Sequence, residues 1–376
     1  MKILIDARAL QEHVDGISRY SLGVLKALMR EKPGWDCSVL INRNAVTHLE
    51  NLNMEYLLSD VRRFSRGENK HLNGFIDSIG ADIYLNLSMA GPCPETPTVI
   101  TVHDLIVLNQ PGYFGNSLIR NILSRMIFRK KLKQSIRHAD AVSVPSRVTL
   151  RILDETFPGS GDKSFVTGEG QHLFSSGNGT VPDSPREDFL LYVGNARAYK
   201  NLTRLVVAYS RLKAINPDFP KIIMVVRKDR AFRNFMRDVE DCSATDSITV
   251  LSHISDTELK EFYSKCIGLI MPSLQEGFGL PALEAMASGA PVVVSSGTAL
   301  EELVGSAGIL VDPESVTDIM HGMALLASQP ELRKDLSEKA VVRAGEFSWC
   351  RTARILTDKL EEIVSNGMKR HLSQDN

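Results

Sequence analysis

Short apolar runs alternate along this chain with amphipathic segments of helical length, and this alternation constrains the fold more than any other feature. Parallel strands covered by helices on both faces have such continuous apolar runs. In the first half, strands are predicted at Ile3–Ile5, Ser38–Ile41, Ile83–Leu87, Val99–Val102 and Ala141–Val144. In the second half, they are predicted at Phe189–Val193, Lys221–Val226, Ile248–Leu251, Gly268–Met271, Pro291–Ser295 and Gly308–Val311. The pattern predicts two α/β domains, each with its own parallel sheet.

The predicted domain boundaries lie around a stretch with almost nothing to bury. Residues 175–187, SSGNGTVPDSPRE, are rich in Gly, Pro and Ser and are predicted to form a linker. An N-terminal α/β domain is therefore expected at 1–174 and a C-terminal one at 188–346. The remaining segment, 347–376, is expected to form a helix that crosses back to the first domain.

This last segment carries local signals for its helix. Ser348 is a candidate N-cap, and the helical pattern runs from Arg351. Gly367 is predicted to end the helix, because glycine commonly follows the last helical turn.

Composition excludes several classes of protein. The chain has 376 residues, and its 44 Lys and Arg nearly balance 45 Asp and Glu, so no nucleic-acid partner is predicted. The five cysteines form no CxxC pair, which argues against a zinc site or a disulfide framework. MKILIDARAL is interpreted as a first strand instead of a signal peptide. No apolar run reaches transmembrane length, so no transmembrane helix is predicted. The odd number and scattered positions of the cysteines fit a reducing cytoplasm, which is the predicted location.

The most informative segment is GLIMPSLQEGFGLPALEAMASGAPVVVSS, which joins a buried strand to a helix through a loop. The loop carries Glu276, Gly277 and Gly279, while Pro281 favours the helix start and Gly289 its end. Backbone amides at such a helix start attract an anion, and the glycines let a ligand approach closely. The segment therefore predicts an anion site.

Two carboxylates flank this predicted anion site, Glu276 in the loop and Glu284 in the first turn of the helix. They suit the site if they accept hydrogen bonds from the hydroxyls of a sugar and of a ribose. A sugar and a ribose joined by a diphosphate make a nucleotide sugar. In the alternative interpretation, Glu284 complements the helix dipole and Glu276 is a solvated loop residue. Spacing alone leaves both interpretations open.

EGFGLPALE, with MPS before it and AMASGAPVV after it, resembles the E-x7-E signature of retaining glycosyltransferase family 4. The similarity continues through LSHISDTELKEFYSKC, SSGTALEELVGSAGILVDPE and EFSWCRTA. It implies the α/β GT-B fold, two Rossmann-like parallel-sheet domains facing a central cleft, with the acceptor on the first domain. It also implies that Glu276 is catalytic and holds the transferred sugar, while Glu284 holds the ribose. The donor would further be lined by consecutive backbone amides: Gly277, Phe278, Gly279 and Leu280.

LLYVGNARAYKNLTRLVVAYS resembles the family's first strand and loop of the nucleotide-binding domain, where basic side chains neutralise the donor diphosphate. Lys200 matches the family's lysine. The family often has arginine directly after the glycine, where this chain has Asn195, and Arg197 is the candidate substitute. Alternatively, Lys200 and Arg197 are surface charges near a helix start.

Two segments of the first half also resemble the family. VITVHDLIVLNQPGYF is similar to the HDL segment of members that transfer mannose and related sugars, which implies that His103 contacts the donor sugar near the reacting centre. Asp104 then orients the imidazole or caps a turn. DGISRY is similar to the family's G-I-x-R-Y, so Gly16 opens a helix near the donor phosphate or the acceptor, with Arg19 as an acceptor or orienting residue. A structural histidine and an ordinary turn glycine are the alternatives.

Other catalytic motifs are missing from the sequence. It has no D-x-D pair, no GxxxxGK[ST], no G-x-S-x-G and no GxGxxG after the first strand. No metal or cofactor is therefore expected.

The motifs are most similar to those of bacterial mannosyltransferases that use GDP-mannose to build O-antigen or exopolysaccharide. The expected partners are a nucleotide sugar and a lipid-linked saccharide acceptor. The alternatives are a transferase that uses a UDP-hexose or a dTDP- or GDP-deoxyhexose, a nucleotide-sugar epimerase, or a noncatalytic GT-B subunit.

The segment Arg120–His138 contains seven Lys and Arg and no acidic residue. Apolar residues recur at helical spacing: Ile119, Ile122, Leu123, Met126 and Ile127. Either a solvated basic face overlies an ordinary core stripe, or the helix adsorbs to an anionic membrane surface. Adsorption would suit a peripheral enzyme whose acceptor is lipid-linked.

Overall fold

The computed structural model describes residues 1–12, 15–50, 52, 54–65, 67–110, 113, 118–171, 173 and 186–374. Two compact units are present: unit 1 is Met1–Gly170 with Trp349–Asn376, and unit 2 is Gln171–Ser348. Of the predicted linker at 175–187, only Arg186 and Glu187 lie within the described residues. The prediction of two α/β domains with parallel sheets is confirmed.

Unit 1 is built on a parallel sheet. Its strands are β1 (Lys2–Asp6), β2 (Asp36–Ile41), β3 (Glu55–Leu58), β4 (Ile83–Asn86), β5 (Thr98–Thr101), β6 (Ala141–Val144) and β7 (Ser164–Val166). The order across the sheet is β3-β2-β1-β4-β5-β6-β7. Sequence analysis did not predict β3 and β7. Both are edge strands, partly exposed and short, so neither has a continuous buried apolar run.

Helices cover both faces of this sheet. They are α1 (Gly16–Glu31), α2 (Thr47–Glu50), α3 (Glu68–Ser78), α4 (Ile106–Asn109), α5 (Leu118–His138) and α6 (Arg147–Thr156). Successive residues of a strand point to opposite faces, and β1 follows this rule. Ile3 and Ile5 pack in the cluster with Leu25 of α1, whereas Leu4 packs with Leu72 of α3.

Unit 2 repeats this architecture. Its strands are β8 (Phe189–Asn195), β9 (Lys221–Arg227), β10 (Ile248–Leu251), β11 (Gly268–Met271), β12 (Val292–Ser295) and β13 (Ile309–Val311), in the parallel order β10-β9-β8-β11-β12-β13. Its helices are α7 (Leu202–Ile215), α8 (Phe232–Glu240), α9 (Asp256–Lys265), α10 (Leu280–Ala287), α11 (Ala299–Val304), α12 (Val316–Ser328) and α13 (Pro330–Ala344). All six strands predicted for the second half are present.

The first strand of each unit lies in the interior of its sheet. In unit 1, β1 lies between β2 and β4, and in unit 2, β8 lies between β9 and β11. The chain therefore leaves the central strand on one side and later returns to its other side. In doubly wound sheets, ligands bind at the carboxyl ends of the strands where the connections diverge in this way. The loops after β8 and β11, and those after β1 and β4, are thus the places to look for sites.

The last helix, α14 (Trp349–Gln374), packs on unit 1. Its residues Ala353, Leu356 and Leu360 are fully buried in the cluster with β1 and α1. A Cβ atom at Gly23 of α1 would lie 2.3 Å from Cε2 of Trp349, so only glycine permits this close approach.

The prediction that Gly367 ends this helix is wrong, because α14 continues through it to Gln374. Glycine in a helix interior costs about 1 kcal/mol relative to alanine, which a long helix of good helix formers can absorb. The next three residues, Met368, Lys369 and Arg370, all favour the helix.

Candidate functional site

Two loops at the carboxyl end of the unit 2 sheet are hydrogen-bonded to each other. The backbone N–H of Leu274, after β11, donates to the carbonyl of Tyr199, after β8, at 2.7 Å. The amide of Asn201 donates to the carbonyl of Pro272 at 2.9 Å and to that of Pro313 at 2.6 Å. Asn201 has a positive φ of 61°, which asparagine tolerates better than most residues. The β8 and β11 loops therefore form one framework at the point where the chain connections diverge.

Lys200 and Glu276 form an ion pair within this framework. Lys200 Nζ lies 2.6 Å from Glu276 Oε1, and the two side chains are 8% and 9% exposed. Neither residue is therefore a solvated surface charge, which was the alternative for each. Because a buried charge needs a partner, the Glu276 carboxylate depends on Lys200 or on a ligand that replaces it. The structure thus brings together two of the predicted site residues.

Glu284 is buried on α10 and accepts a hydrogen bond through Oε2 from the hydroxyl of Tyr263 at 2.9 Å. The prediction that it lies in the first helical turn is wrong: α10 begins at Leu280, so Glu284 is in the second turn. Tyr263, on α9, was missed by sequence analysis because a tyrosine at helical spacing is typical of a core position. Its hydroxyl fixes the orientation of the Glu284 carboxylate.

The start of α10 depends on Gly279. This residue has φ of 112°, and a Cβ atom there would lie 2.3 Å from Cδ2 of Leu300. Phe278 is buried and packs edge-on against Phe347, with ring centroids 5.6 Å apart. Only its backbone can therefore face a ligand, whereas Gly277 is partly exposed. Pro281 lies in the first turn and Gly289, with φ of 74°, follows the helix, both as predicted.

The arginines near this loop have partners that sequence analysis did not anticipate. Arg197 Nε lies 3.5 Å from Asp229 Oδ2, and the arginine side chain is 43% exposed. Arg227 of β9 is exposed and is the register partner of Asn195, where the family often has arginine. Neighbours in register on parallel strands project from the same face. Arg227 therefore lies beside Asn195, the position at which this chain differs from the family pattern. The sequence alone does not reveal this strand pairing.

In unit 1, His103 follows β5 and is buried. Its Nε2 lies 3.1 Å from the carbonyl oxygen of Leu87, and its Nδ1 lies 3.9 Å from Glu169 Oε1. The ring makes an edge contact with Tyr20, with centroids 4.6 Å apart. Glu169 was not predicted, because it follows the short strand β7 outside any recognised motif. Asp104 accepts a hydrogen bond from the backbone N–H of Ile106 at 2.9 Å, which is the turn-capping role.

Gly16 and Arg19 lie in the first turn of α1. Asp15 caps this helix, because its carboxylate accepts from the backbone N–H of Ser18 at 2.9 Å. Gly16 is exposed and Arg19 is partly buried. These two residues, with His103 and Asp104, belong to unit 1, and the other predicted site residues belong to unit 2. Their roles remain predictions.

A second group of charges is buried at the carboxyl end of β1. Arg8 Nη2 lies 2.6 Å from Asp6 Oδ2 and 3.0 Å from Glu68 Oε1, and the hydroxyl of Tyr84 donates to Asp6 Oδ2 at 2.6 Å. Burial alone would raise the pKa of Asp6, but the charge and hydrogen bonds of Arg8 hold that pKa below its ordinary value. Burial raises the pKa of Glu68, although Arg8 opposes this shift. This network fixes Glu68 at the start of α3.

In the part of the chain that the structure describes, no group of three or more His, Cys, Asp or Glu could hold a metal ion. The five cysteines are free thiols.

Five apolar residues of α5 form an exposed stripe. They do not form the core stripe that one of the two interpretations predicted. The exposed residues are Ile119, Ile122, Leu123, Met126 and Ile127. At helical spacing the same side of α5 continues with exposed basic residues: Lys130, Lys133 and Arg137. We call these eight residues the α5 outer face. The opposite side is buried through Phe128, Leu132 and Ile136. Within the described residues, no helix combines the length and the apolar character needed to cross a bilayer.

Comparisons with known proteins bear on this site. The profile of the family described as "Glycosyl transferases group 1" matches residues 181–343. The chain is 25% identical to the serotype-specific mannosyltransferase WbdA of Escherichia coli, over 100% of this chain but 49% of WbdA, and so spans about half of that relative. It is 30% identical to the O-antigen chain mannosyltransferase RfbU of Salmonella typhimurium, over 71% of this chain and 68% of RfbU.

A solved structure shares the fold. The crystal structure of Anabaena Alr3699/HepE in complex with UDP and glucose matches with a TM-score of 0.73 at 16% identity. The match covers 96% of this chain and 99% of that one. At this identity the likeness shows the fold alone.

Proposed function

Because this chain belongs to the group 1 glycosyl transferases and has the GT-B fold, we propose that it transfers mannose from GDP-mannose to a lipid-linked saccharide acceptor, with retention of anomeric configuration. The choice of mannose is supported by WbdA and RfbU, which are both named as mannosyltransferases. The products would be O-antigen or exopolysaccharide chains. The observation that carries the proposal is the buried Lys200–Glu276 pair at the carboxyl end of the unit 2 sheet.

The pair suits a nucleotide sugar because such a donor offers a replacement partner to each of its members. The diphosphate takes the charge of Lys200, and hydroxyls of the sugar donate to the Glu276 carboxylate. Both buried groups therefore remain compensated when the donor separates them. A nucleoside diphosphate without its sugar would compensate Lys200 but leave Glu276 without a partner. The site should thus favour the intact donor over the spent nucleotide.

Other residues of unit 2 would hold the rest of the donor. Glu284, oriented by Tyr263, is proposed to accept a hydrogen bond from the ribose. The backbone amides of residues 277–280 are proposed to approach the diphosphate at the start of α10. Arg197 and Arg227 are proposed to add positive charge near the same phosphates.

The proposed reaction needs no enzymatic nucleophile. The bond between the anomeric carbon and the donor phosphate oxygen breaks, and a bond to the acceptor oxygen forms on the same face of the sugar. The proton of the acceptor hydroxyl passes to the leaving diphosphate. Lys200 and the α10 amides stabilise the charge on that diphosphate, so no metal is required. His103 is proposed to contact the transferred sugar.

Donor selection tests this proposal. We expect GDP-mannose to raise the thermal unfolding midpoint more than GDP does, because only the intact donor compensates both Lys200 and Glu276. Matched samples with UDP-glucose and UDP should show smaller shifts. The proposal is wrong if none of the GDP compounds changes the midpoint, or if release of GDP from GDP-mannose never rises on addition of a saccharide acceptor.

We also propose that the α5 outer face rests on the inner, anionic surface of the cytoplasmic membrane. Ile119 is 73% exposed and Met126 is 64% exposed, so these side chains can enter the interface without any change in the fold. The basic residues that follow on the same face would contact lipid phosphates, each adding about 1 kcal/mol of attraction. A lipid-linked acceptor would be held at the same surface.

A further inference from the structure

We infer that a cavity in unit 1 binds one sugar ring of the saccharide acceptor, an inference that rests on the proposed function. The cavity has a volume of about 120 Å³ and lies between the start of α3, the loop after β4 and the second half of α5. This volume is several times the roughly 10–15 Å³ that a cavity needs to hold one water molecule. The cavity can therefore take a polar ligand of several non-hydrogen atoms, such as the hydroxyl-bearing edge of a sugar ring.

The cavity lies near the point where the connections of the unit 1 sheet diverge. Gly91, which follows β4, forms one wall, and Glu68 forms another. Glu68 is tied to Arg8, which follows β1, by the 3.0 Å ion pair. Because β1 and β4 are the neighbours at which the chain changes direction, their carboxyl ends are where an open α/β sheet binds ligands.

The chemistry of the walls suits hydroxyl groups. Asn69 and Gln134 each present an amide, which offers both a donor and an acceptor. The hydroxyl of Ser135 accepts from the backbone N–H of Gly91 at 3.2 Å and donates to the Gly91 carbonyl at 3.3 Å, which fixes this part of the wall. Sugar hydroxyls also donate and accept, so such mixed groups can satisfy them in pairs. A site for phosphate would instead present an excess of donors.

Both charged residues of the cavity wall have a partner within the protein. Lys131 Nζ donates to the backbone carbonyl of Ser65 at 2.5 Å. The Glu68 carboxylate is paired with Arg8. A charged ligand would have to compete with these two interactions. A neutral polyhydroxylated ligand therefore fits better than an anion.

Phe64 gives the cavity an aromatic wall at a cost in backbone energy. Its φ is 61°, a left-handed conformation that is strained for a bulky residue. The Glu68 carboxylate holds this conformation by accepting from the backbone N–H of Phe64 at 2.7 Å. The ring packs against Phe128, with centroids 5.6 Å apart, and remains 36% exposed. Strained residues persist where the surrounding structure fixes them and are concentrated at ligand sites.

Binding of a neutral sugar to the full-length chain tests the inference. We would measure saturation transfer by NMR from the protein to methyl α-mannopyranoside, for the wild type, Asn69→Ala, Gln134→Ala and the control Asn44→Ala. Asn44 is an exposed amide elsewhere in unit 1. We expect transfer in the wild type and the control, and about fivefold less in the two cavity variants, each of which loses one hydrogen-bonding side chain.

Three results would overturn the inference: no transfer in the wild type, equal transfer in the cavity variants, or displacement of the sugar by inorganic phosphate. The midpoint shift caused by GDP-mannose, measured on the same four proteins, reports on the donor site in unit 2 separately. A wild type that binds the sugar but shows no shift with GDP-mannose would refute the proposed function and not the cavity. A normal donor shift without sugar transfer would refute the cavity alone.

Discussion

Removal of the Lys200 ammonium should have two effects. It should destabilise unit 2, and it should abolish the rise of the unfolding midpoint that GDP-mannose causes. In Lys200→Met, the Glu276 carboxylate stays buried but loses the cation at 2.6 Å. Breaking a buried ion pair by removing one partner typically costs about 3–5 kcal/mol. For a domain of roughly 150–250 residues, each kcal/mol lowers the unfolding midpoint by about 2–4 °C. We therefore expect the midpoint of unit 2 to fall by on the order of 10 °C.

The double variant Lys200→Met/Glu276→Gln separates this effect from ordinary loss of packing. It removes both charges, and replacing a whole buried pair with neutral side chains is often nearly neutral for stability. We expect the double variant to recover most of the midpoint that the single variant loses. Neither variant should respond to GDP-mannose, because each lacks the cation for the diphosphate.

Scanning calorimetry with and without GDP-mannose provides the measurement. With the single variant Glu276→Gln as the fourth protein, the double-mutant cycle gives the coupling energy of the pair. The predicted dependence of Glu276 on Lys200 is wrong if Lys200→Met unfolds within about 1 °C of the wild type, less than the roughly 2–4 °C expected for 1 kcal/mol. It is also refuted if the double variant is less stable than the single one. Either result would mean that Lys200 and Glu276 do not depend on each other in the native state.

Three further predictions concern separate parts of the account. Tyr263→Phe should raise the KM for the donor about fivefold with little change in kcat, because it loses one hydrogen bond to Glu284. The control Tyr209→Phe loses a buried hydrogen bond to Pro220 and should leave KM unchanged. Met126→Glu should reduce cosedimentation with anionic vesicles, whereas Val342→Glu, also at an exposed apolar position, should not. If the wild type pelleted equally with neutral and with anionic vesicles, adsorption to an anionic membrane would be contradicted. Glu276→Ala should lower kcat more than Glu284→Ala, because contacts to the reacting sugar change in the transition state and ribose contacts do not. The opposite order in steady-state kinetics would contradict the assignment of Glu276 to the sugar and Glu284 to the ribose.

Local sequence signals predicted the elements that carry the unit 2 site. Glycine adopts positive φ readily, as Gly279 and Gly289 do. Proline favours the first turn of a helix, where Pro281 lies. Both preferences belong to the residue type itself. The six strands of unit 2 are buried apolar runs, and all of them were found. Signals of this kind need no knowledge of distant parts of the chain.

Features that depend on tertiary pairing were not predictable. Tyr263 reaches Glu284 from another helix, and Arg227 lies beside Asn195 only through the register of β8 and β9. Periodicity identified an apolar stripe on α5 but not its exposure, because a second stripe through Leu132 and Ile136 faces the core. Gly367 was misplaced as a helix end because the surrounding helix formers outweigh its local preference.

The stereochemistry of transfer, measured without metal ions, is a direct test of the proposed front-side reaction. GDP-mannose would be incubated with the full chain and a lipid-linked, mannose-terminated saccharide, in excess chelator, and the anomeric configuration of the product read by NMR. We predict continued turnover without metal ions, because Lys200 and the α10 amides stabilise the diphosphate charge. We also predict an α-linked mannose from the α-linked donor. A β-linked product, or complete loss of turnover on chelation, would contradict it.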